Sequence, residues 1–109
     1  MTVLVNRLDK RVSILRPPGP DDTDPAGQPL DDPVEVCTVW GGIEPLRGRE
    51  FFSAQQVNAE VTTRIRLRYR DGIDRTMLVR FKGVVFEILY VINPNYENKE
   101  LQLMCKERQ

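Results

Sequence analysis

Arginines at alternate positions are the residues in this sequence whose spacing most clearly suggests chemistry. Residues 61–70 read VTTRIRLRYR, and the four arginines are Arg64, Arg66, Arg68 and Arg70. Because side chains alternate across a β-strand, all four guanidinium groups fall on one face, about 6.6 Å apart from one to the next. Like charges at this spacing repel each other. We therefore expect acidic side chains on neighbouring strands, or on a partner, to compensate them.

Three interpretations of this arginine face stay open. It contacts nucleic-acid phosphates, it forms an interface with an acidic patch on another subunit, or it is the solvated outer face of a sheet. Nucleic-acid-binding barrels usually add exposed aromatic side chains on which bases stack. Tyr69 alternates onto the opposite face, and Trp40, at a strand end before two glycines, is expected in the core. The stacking half of that signature is therefore missing.

The second candidate is the acidic loop, residues 17–33. It holds six of the eight prolines and no basic residue, and its five aspartates are Asp21, Asp22, Asp24, Asp31 and Asp32. Proline removes backbone donors and fixes φ, so we expect no central strand or helix here. A loop this long is usually functional or disordered. It either keeps the chain soluble, or it orders on assembly or lines a passage for a polyanion. The glycine and glutamate of a calcium-binding EF-hand loop are not in place, so no metal is expected.

The composition excludes several classes of function. The 109 residues include no histidine, so neither a Ser-His-Asp nor a Cys-His catalytic unit can form. The two cysteines, Cys37 and Cys105, are too far apart for a CxxC zinc motif and are expected as free thiols. No apolar run approaches the ~20 residues of a membrane span, and the N-terminus lacks the features of a signal peptide. We expect no enzymatic activity, no cofactor and no membrane association.

The chain is neutral overall, with 16 basic and 16 acidic residues, but its charges are partitioned. The acidic loop carries −5. Residues 61–82 contain six arginines and one lysine against two aspartates, which gives +5. Two regions of opposite charge are therefore held apart on one small chain.

Hydrophobic periodicity predicts the elements that must position these charges. The expected strands are residues 10–16, 34–46, 61–70, 77–81, 84–92 and 100–106, with a short helix at 48–57 that has Glu50 in its first turn. Lys82-Gly83 is expected to form a two-residue hairpin turn, and Gly41-Gly42 a bulge or bend. We therefore predict a single mainly β domain over residues 1–109. It is a small antiparallel barrel, or tight sandwich, of about six strands with one short helix.

Five motifs occur in order along nearly the whole chain. They are R-V-x-I-x-R-P at 11–17, D-x-x-G at 24–27, W-x-x-I-x-P-x-x-G-x-E at 40–50, I-x-x-R-Y-R at 65–70 and G-x-x-F-E-I at 83–88. Their order and spacing resemble the head–tail joining proteins of tailed bacteriophages, also called head-closure, stopper or connector proteins. The family often has a histidine just before the arginine-rich strand, where this chain has Thr62-Thr63.

The resemblance implies a non-enzymatic structural part of the virion neck, assembled in the host cytoplasm. Copies would form a ring, six- or twelve-fold, beneath the portal or adaptor protein. The ring would bind a tail-completion or tail-tube protein, and packaged DNA would pass through its lumen and be retained there. On this hypothesis, Glu50 and the four arginines form an interface, and the acidic loop faces the lumen or a neighbouring ring. The alternatives are a small nucleic-acid-binding barrel and a tail-completion or minor tail subunit.

Overall fold

The computed structural model describes residues 8–28 and 32–108, which form six strands and one α-helix. The strands are β1 (Lys10–Arg16), β2 (Val34–Pro45), β3 (Thr63–Arg68), β4 (Leu78–Phe81), β5 (Val84–Ile92) and β6 (Glu100–Glu107). Helix α1 (Gly48–Val57) follows β2, and a 3-10 turn (Pro94–Tyr96) follows β5. Each expected element is present, with bounds that shift by a few residues.

The six strands close into an antiparallel barrel in the order β1-β2-β3-β6-β5-β4. Closure pairs β4 with β1, so every strand has a neighbour on each side and no sheet edge is left open for strand addition. The predicted hairpin joins β4 to β5 through Lys82 and Gly83, whose φ values are 49° and 83°. These left-handed values are those of the two-residue turns that match strand twist. The barrel prediction is confirmed.

Inward-facing residues fill the barrel with one apolar core. Its buried members are Val12, Ile14, Ile65, Leu67, Val79, Phe86, Ile88, Leu101, Leu103 and Cys105. They follow the two-residue period of the strands, as predicted, and Tyr69 packs against them half-buried. Both cysteines are free thiols, and burial raises the pKa of Cys105 to about 12.

Trp40 corrects one expectation, because it lies on the outside of the barrel with 52% of its surface exposed. The alternation of β2 decides this. A Cβ on Gly41 would stand 2.9 Å from Leu67 Cδ2 and 3.3 Å from Val12 Cγ2, so position 41 faces inward at a close approach and its neighbour Trp40 faces outward. The pairing of β2 with β3 also runs through Gly41 and Gly42 without a register shift, so the bulge expected there is absent.

Register shifts occur instead at Val36 of β2, which is skipped in the pairing with β1, and at Leu89 of β5, which is skipped in the pairing with β6. The shift in β5 pairs Tyr90 with Met104, which lies on the outer face of β6 beneath α1. There the helix buries a second, smaller cluster formed by Leu46, Ala54, Val61 and Met104. This cover explains why β5 is apolar on both faces. In the described parts of the chain, no helix has both the length and the apolar character to cross a membrane.

Candidate functional site

The arginine ladder, as we name Arg64, Arg66, Arg68 and Arg70, runs along the outer face of β3 and just past its end. β3 lies between β2 and β6, so the ladder is flanked by outer-face residues of both strands. Arg64 is paired in register with Glu44 of β2, and Arg68 with Glu100 of β6. The expected acidic neighbours are therefore present, but they do not serve all four arginines equally.

Arg64 joins the barrel to the helix. Its Nε lies 2.9 Å from Glu44 Oε1, and its Nη2 lies 2.7 Å from Glu50 Oε2 in the first turn of α1. Only 17% of the Arg64 side chain is exposed. Glu50, expected at an intermolecular interface, is thus placed against Arg64 of its own chain, where it anchors the helix to the sheet.

Arg66 bridges the strands on its two sides. Its Nε donates to Glu44 Oε1 at 3.2 Å, and its Nη1 donates to both carboxylate oxygens of Glu100 at 3.2 Å. Gln102 adds a hydrogen bond to Glu100 at 3.1 Å. Burial alone would lower the pKa of Arg66, but the two carboxylates outweigh burial and raise it. At this end of the ladder, two guanidinium groups and three carboxylates form one network across three strands and the first turn of α1.

The other end of the ladder is open. Arg68 and Arg70 are exposed, and among the residues that the structure describes neither forms an ion pair. Trp40 lies on the outer face of the neighbouring β2, and the Arg11 guanidinium of β1 lies 4.9 Å from the centre of its ring. Sequence reasoning therefore missed the aromatic side chain beside the arginines, because Trp40 belongs to β2 and not to β3.

A surface hollow, which we name the tryptophan cleft, is bounded by Arg11, Trp40, Arg68 and Arg70. Its volume is about 370 Å³, and Thr38, Val39 and Tyr69 complete its wall. The Tyr69 hydroxyl donates a hydrogen bond to Asp71, which raises the pKa of the tyrosine. The cleft combines a flat aromatic ring with three guanidinium groups, which suits a partner with carboxylates or phosphates and apolar groups.

The acidic loop is folded back at its start by an ion pair. Asp22 accepts hydrogen bonds from Arg16 Nη1 at 2.7 Å and Nη2 at 3.0 Å, and from the backbone N–H of Gly19 at 2.6 Å. These bonds lower the pKa of Asp22 to about 2. The arrangement is a bidentate arginine–carboxylate pair, which fixes geometry as well as charge.

A second turn follows around Asp24. Its Oδ1 accepts the backbone N–H groups of Ala26 and Gln28 at 2.9 and 2.8 Å, and Gly27 has the left-handed φ of 83°. Asp21 and Asp32 are exposed, whereas Asp31 lies outside the described residues. In the described part of the chain, no group of three or more acidic or cysteine side chains could hold a metal ion.

Comparisons with known proteins agree with the motifs in the sequence. A family model described as phage head completion protein matches residues 4–108. The chain is also similar to the solution structure of protein SF1141 from Shigella flexneri 2a, with 25% sequence identity and a TM-score of 0.69. That match covers 98% of this chain and 96% of the other. A search of the curated proteins finds no match. The chain therefore belongs to the phage head completion protein family, whose members are structural proteins of the virion.

Proposed function

We propose that this chain completes the head by forming a ring at the head–tail joint, between the portal or adaptor protein and a tail-completion or tail-tube protein. It does so by assembly, without catalysis, and DNA passes through the lumen of the ring. The observation that carries the proposal is the split arginine ladder. At one end the arginines are paired with carboxylates of the same chain, and at the other they are exposed beside Trp40.

The closed barrel supports this role physically. Because β1 pairs with β4, partners cannot join by adding a strand and must bind through side chains and loops. The exposed side chains that stand out are Trp40 with its arginines, Phe52 and Val57 of α1, and Tyr96 of the 3-10 turn. An exposed tryptophan flanked by arginines is typical of interfaces whose binding energy is concentrated in few residues.

The acidic loop is proposed as the assembly element. Arg16 and Asp22 hold its start against the barrel, and Asp21 and Asp32 stay exposed. A loop with this charge repels phosphates, so along a passage for DNA it would prevent sticking. On a neighbouring protein it would instead find basic surface.

Deleting the loop tests this function. In a phage that lacks its own copy of this gene, the intact chain supplied from a plasmid should restore tailed particles. A chain without residues 19–32 should still fold, because the deletion removes no strand, but it should yield tailless heads or heads that have lost their DNA. The readouts are electron microscopy and DNA protection from nuclease. Normal infectious particles with the deletion would contradict the proposal for the loop.

Contact with nucleic acid is the second candidate function, and one observation favours it. Trp40 supplies the exposed aromatic residue that the arginine face lacked in the sequence. Phosphate contacts make binding strongly dependent on salt, with a slope close to the number of phosphates neutralised. Binding of the purified chain to DNA at several salt concentrations would reveal such a slope. No binding at low salt would exclude this candidate.

A further inference from the structure

We propose that the tryptophan cleft of one copy binds the acidic loop of a second copy of this chain. The inference rests on the proposed function, since it names the contact that would join neighbouring subunits. The occupant is the described part of the loop, residues 17–28 and 32–33 of another subunit. Charge, ring chemistry and position along the strands each support this assignment.

The charges of the two surfaces are complementary. Arg11, Arg68 and Arg70 bring three guanidinium groups to the cleft. In the loop, Asp22 is already neutralised by Arg16, whereas Asp21 and Asp32 are exposed. An unneutralised cationic surface and an unneutralised anionic one are thus present on the same chain. A contact between neighbouring copies joins the two surfaces.

Carboxylates near the cleft do not cancel its charge. Asp71 accepts the hydroxyl of Tyr69, and Glu100 is held by Arg66 and Gln102. In a second surface hollow, which also includes Trp40, Asp9 pairs with Lys10 at 3.2 Å. Glu100 and Asp9 each face a basic partner, whereas Asp71 keeps its charge and offsets one of the three guanidinium groups. The cleft therefore retains a net positive charge, and Arg68 and Arg70 face solvent.

The apolar part of the proposed contact is the packing of proline rings of the loop against the ring of Trp40. Among the described residues of the loop, Pro17, Pro20, Pro25 and Pro33 are exposed. Proline-rich segments bind aromatic-lined grooves well, because proline restricts the free peptide and lowers the entropy lost on binding. A proline-rich segment with carboxylates fits a tryptophan ring flanked by arginines better than bare phosphate does, since phosphate uses only the charge.

The geometry favours a second copy over the chain's own loop. The loop connects the end of β1 at Arg16 to the start of β2 at Val34, whereas Arg11 and Trp40 lie at the opposite end of this strand pair. Arg16 is five residues further along β1 than Arg11, which is about 17 Å along the strand. The Arg16–Asp22 pair also holds the loop near its own end. A loop-to-cleft contact between copies is heterologous, and such contacts close into rings when the rotation allows.

Trp40 gives a direct test, because it is the only tryptophan in the chain. As the concentration of the full-length protein rises at low salt, Trp40 fluorescence should become protected from a soluble quencher, in step with growth in mass by sedimentation velocity. Added salt, which shortens the screening length, should reverse both changes. No protection up to about 1 mM would mean an affinity weaker than about −4 kcal/mol, and would overturn the inference.

Charge reversal at each surface identifies the contact. The cleft variant carries Arg68→Glu and Arg70→Glu, and the loop variant carries Asp21→Arg and Asp32→Arg, so that Asp22 and Asp24 keep their roles. Each variant alone should associate at least about tenfold more weakly, because attractive pairs become repulsive. An equal mixture of the two should regain association, since every reversed loop then meets a reversed cleft. Failure of the mixture to recover would contradict the loop-to-cleft pairing.

The matched control is Arg47→Glu with Arg75→Glu, which makes the same change in net charge at exposed arginines outside the cleft. It should associate like the unchanged protein. Binding of DNA at the cleft would give the opposite pattern, with DNA lost in the cleft variant and no recovery on mixing. These outcomes concern association alone. If they fail while the intact chain still restores tailed particles, the inference falls and the proposed function stands.

Discussion

The two ends of the arginine ladder carry the same residue on the same face, yet they have different surroundings. Arg64 and Arg66 have side chains that are 17% and 14% exposed and are held by carboxylates of β2, α1 and β6. Arg68 and Arg70 extend into solvent beside Trp40. The difference comes from the neighbouring strands, which place Glu44 beside one end and Trp40 beside the other.

This contrast separates residues that hold the fold from exposed residues that we propose bind a partner. A charge that is mostly buried and hydrogen-bonded on two sides is costly to disturb, because its partners lose their compensation. An exposed arginine contributes little to folding, so it is free to serve binding. A single run of alternating arginines therefore occupies two different environments.

The largest expected difference follows from reversing one charge at each end. Arg66→Glu places a third carboxylate between Glu44 and Glu100, and should lower the free energy of unfolding by roughly 2–4 kcal/mol. For a domain of this size that is a fall in Tm of roughly 10–25 °C. The matched Arg68→Glu should cost less than about 0.5 kcal/mol. Urea and thermal unfolding measure both, and equal losses would show that the two ends do not differ.

A smaller loss is expected when the shared carboxylate of the paired end is neutralised. Glu44→Gln keeps the shape of the side chain but weakens hydrogen bonds to both Arg64 and Arg66, which should cost about 1–2 kcal/mol. The control is Glu35→Gln, because Glu35 forms one exposed pair with Arg80 at 3.5 Å. That pair is worth less than about 1 kcal/mol. An unfolding midpoint unchanged by Glu44→Gln would mean that the network does not contribute to the free energy of unfolding.

The smallest effect concerns pH and the anchored start of the acidic loop. Because Arg16 lowers the pKa of Asp22 from 3.8 to about 2, the pair stabilises the folded state fully above pH ~4 and is lost as the pH falls through about 2. Carboxyl resonances followed by NMR should titrate accordingly. Arg16→Gln should return the pKa of Asp22 towards its ordinary value, and no change on that substitution would remove Arg16 as the cause.

Much of the fold follows from the sequence, because it depends on local periodicity. Alternation predicted the core positions Ile65, Leu67 and Leu103, and the Lys82-Gly83 turn fixed the hairpin. The side of the barrel on which Trp40 lies depends instead on which residues of β2 face inward, and a Trp-Gly-Gly run is ambiguous about that. The close approach of Leu67 to Gly41 resolves it only in three dimensions.

The site was predicted in part for a similar reason. The ladder itself is visible in the sequence, but its division is not. To predict this division one needs the register that places Glu44 and Glu100 next to Arg66. These two residues are 22 and 34 positions away from Arg66 in the sequence. Cross-strand neighbours are set by topology, which a single sequence does not state. Glu44 lies at a variable position of the W-x-x-I-x-P-x-x-G-x-E motif, one residue before Pro45. Only its position beside a predicted strand end could have drawn attention to it.

The most direct test of the split ladder is the yield of tailed particles when Arg68→Glu/Arg70→Glu is the sole copy of this chain in an infected cell. The double variant should fold with a Tm close to that of the unchanged protein, yet filled heads without tails should accumulate in electron micrographs. Normal yields of tailed, infectious particles from this variant would contradict the assignment of the exposed arginines to assembly.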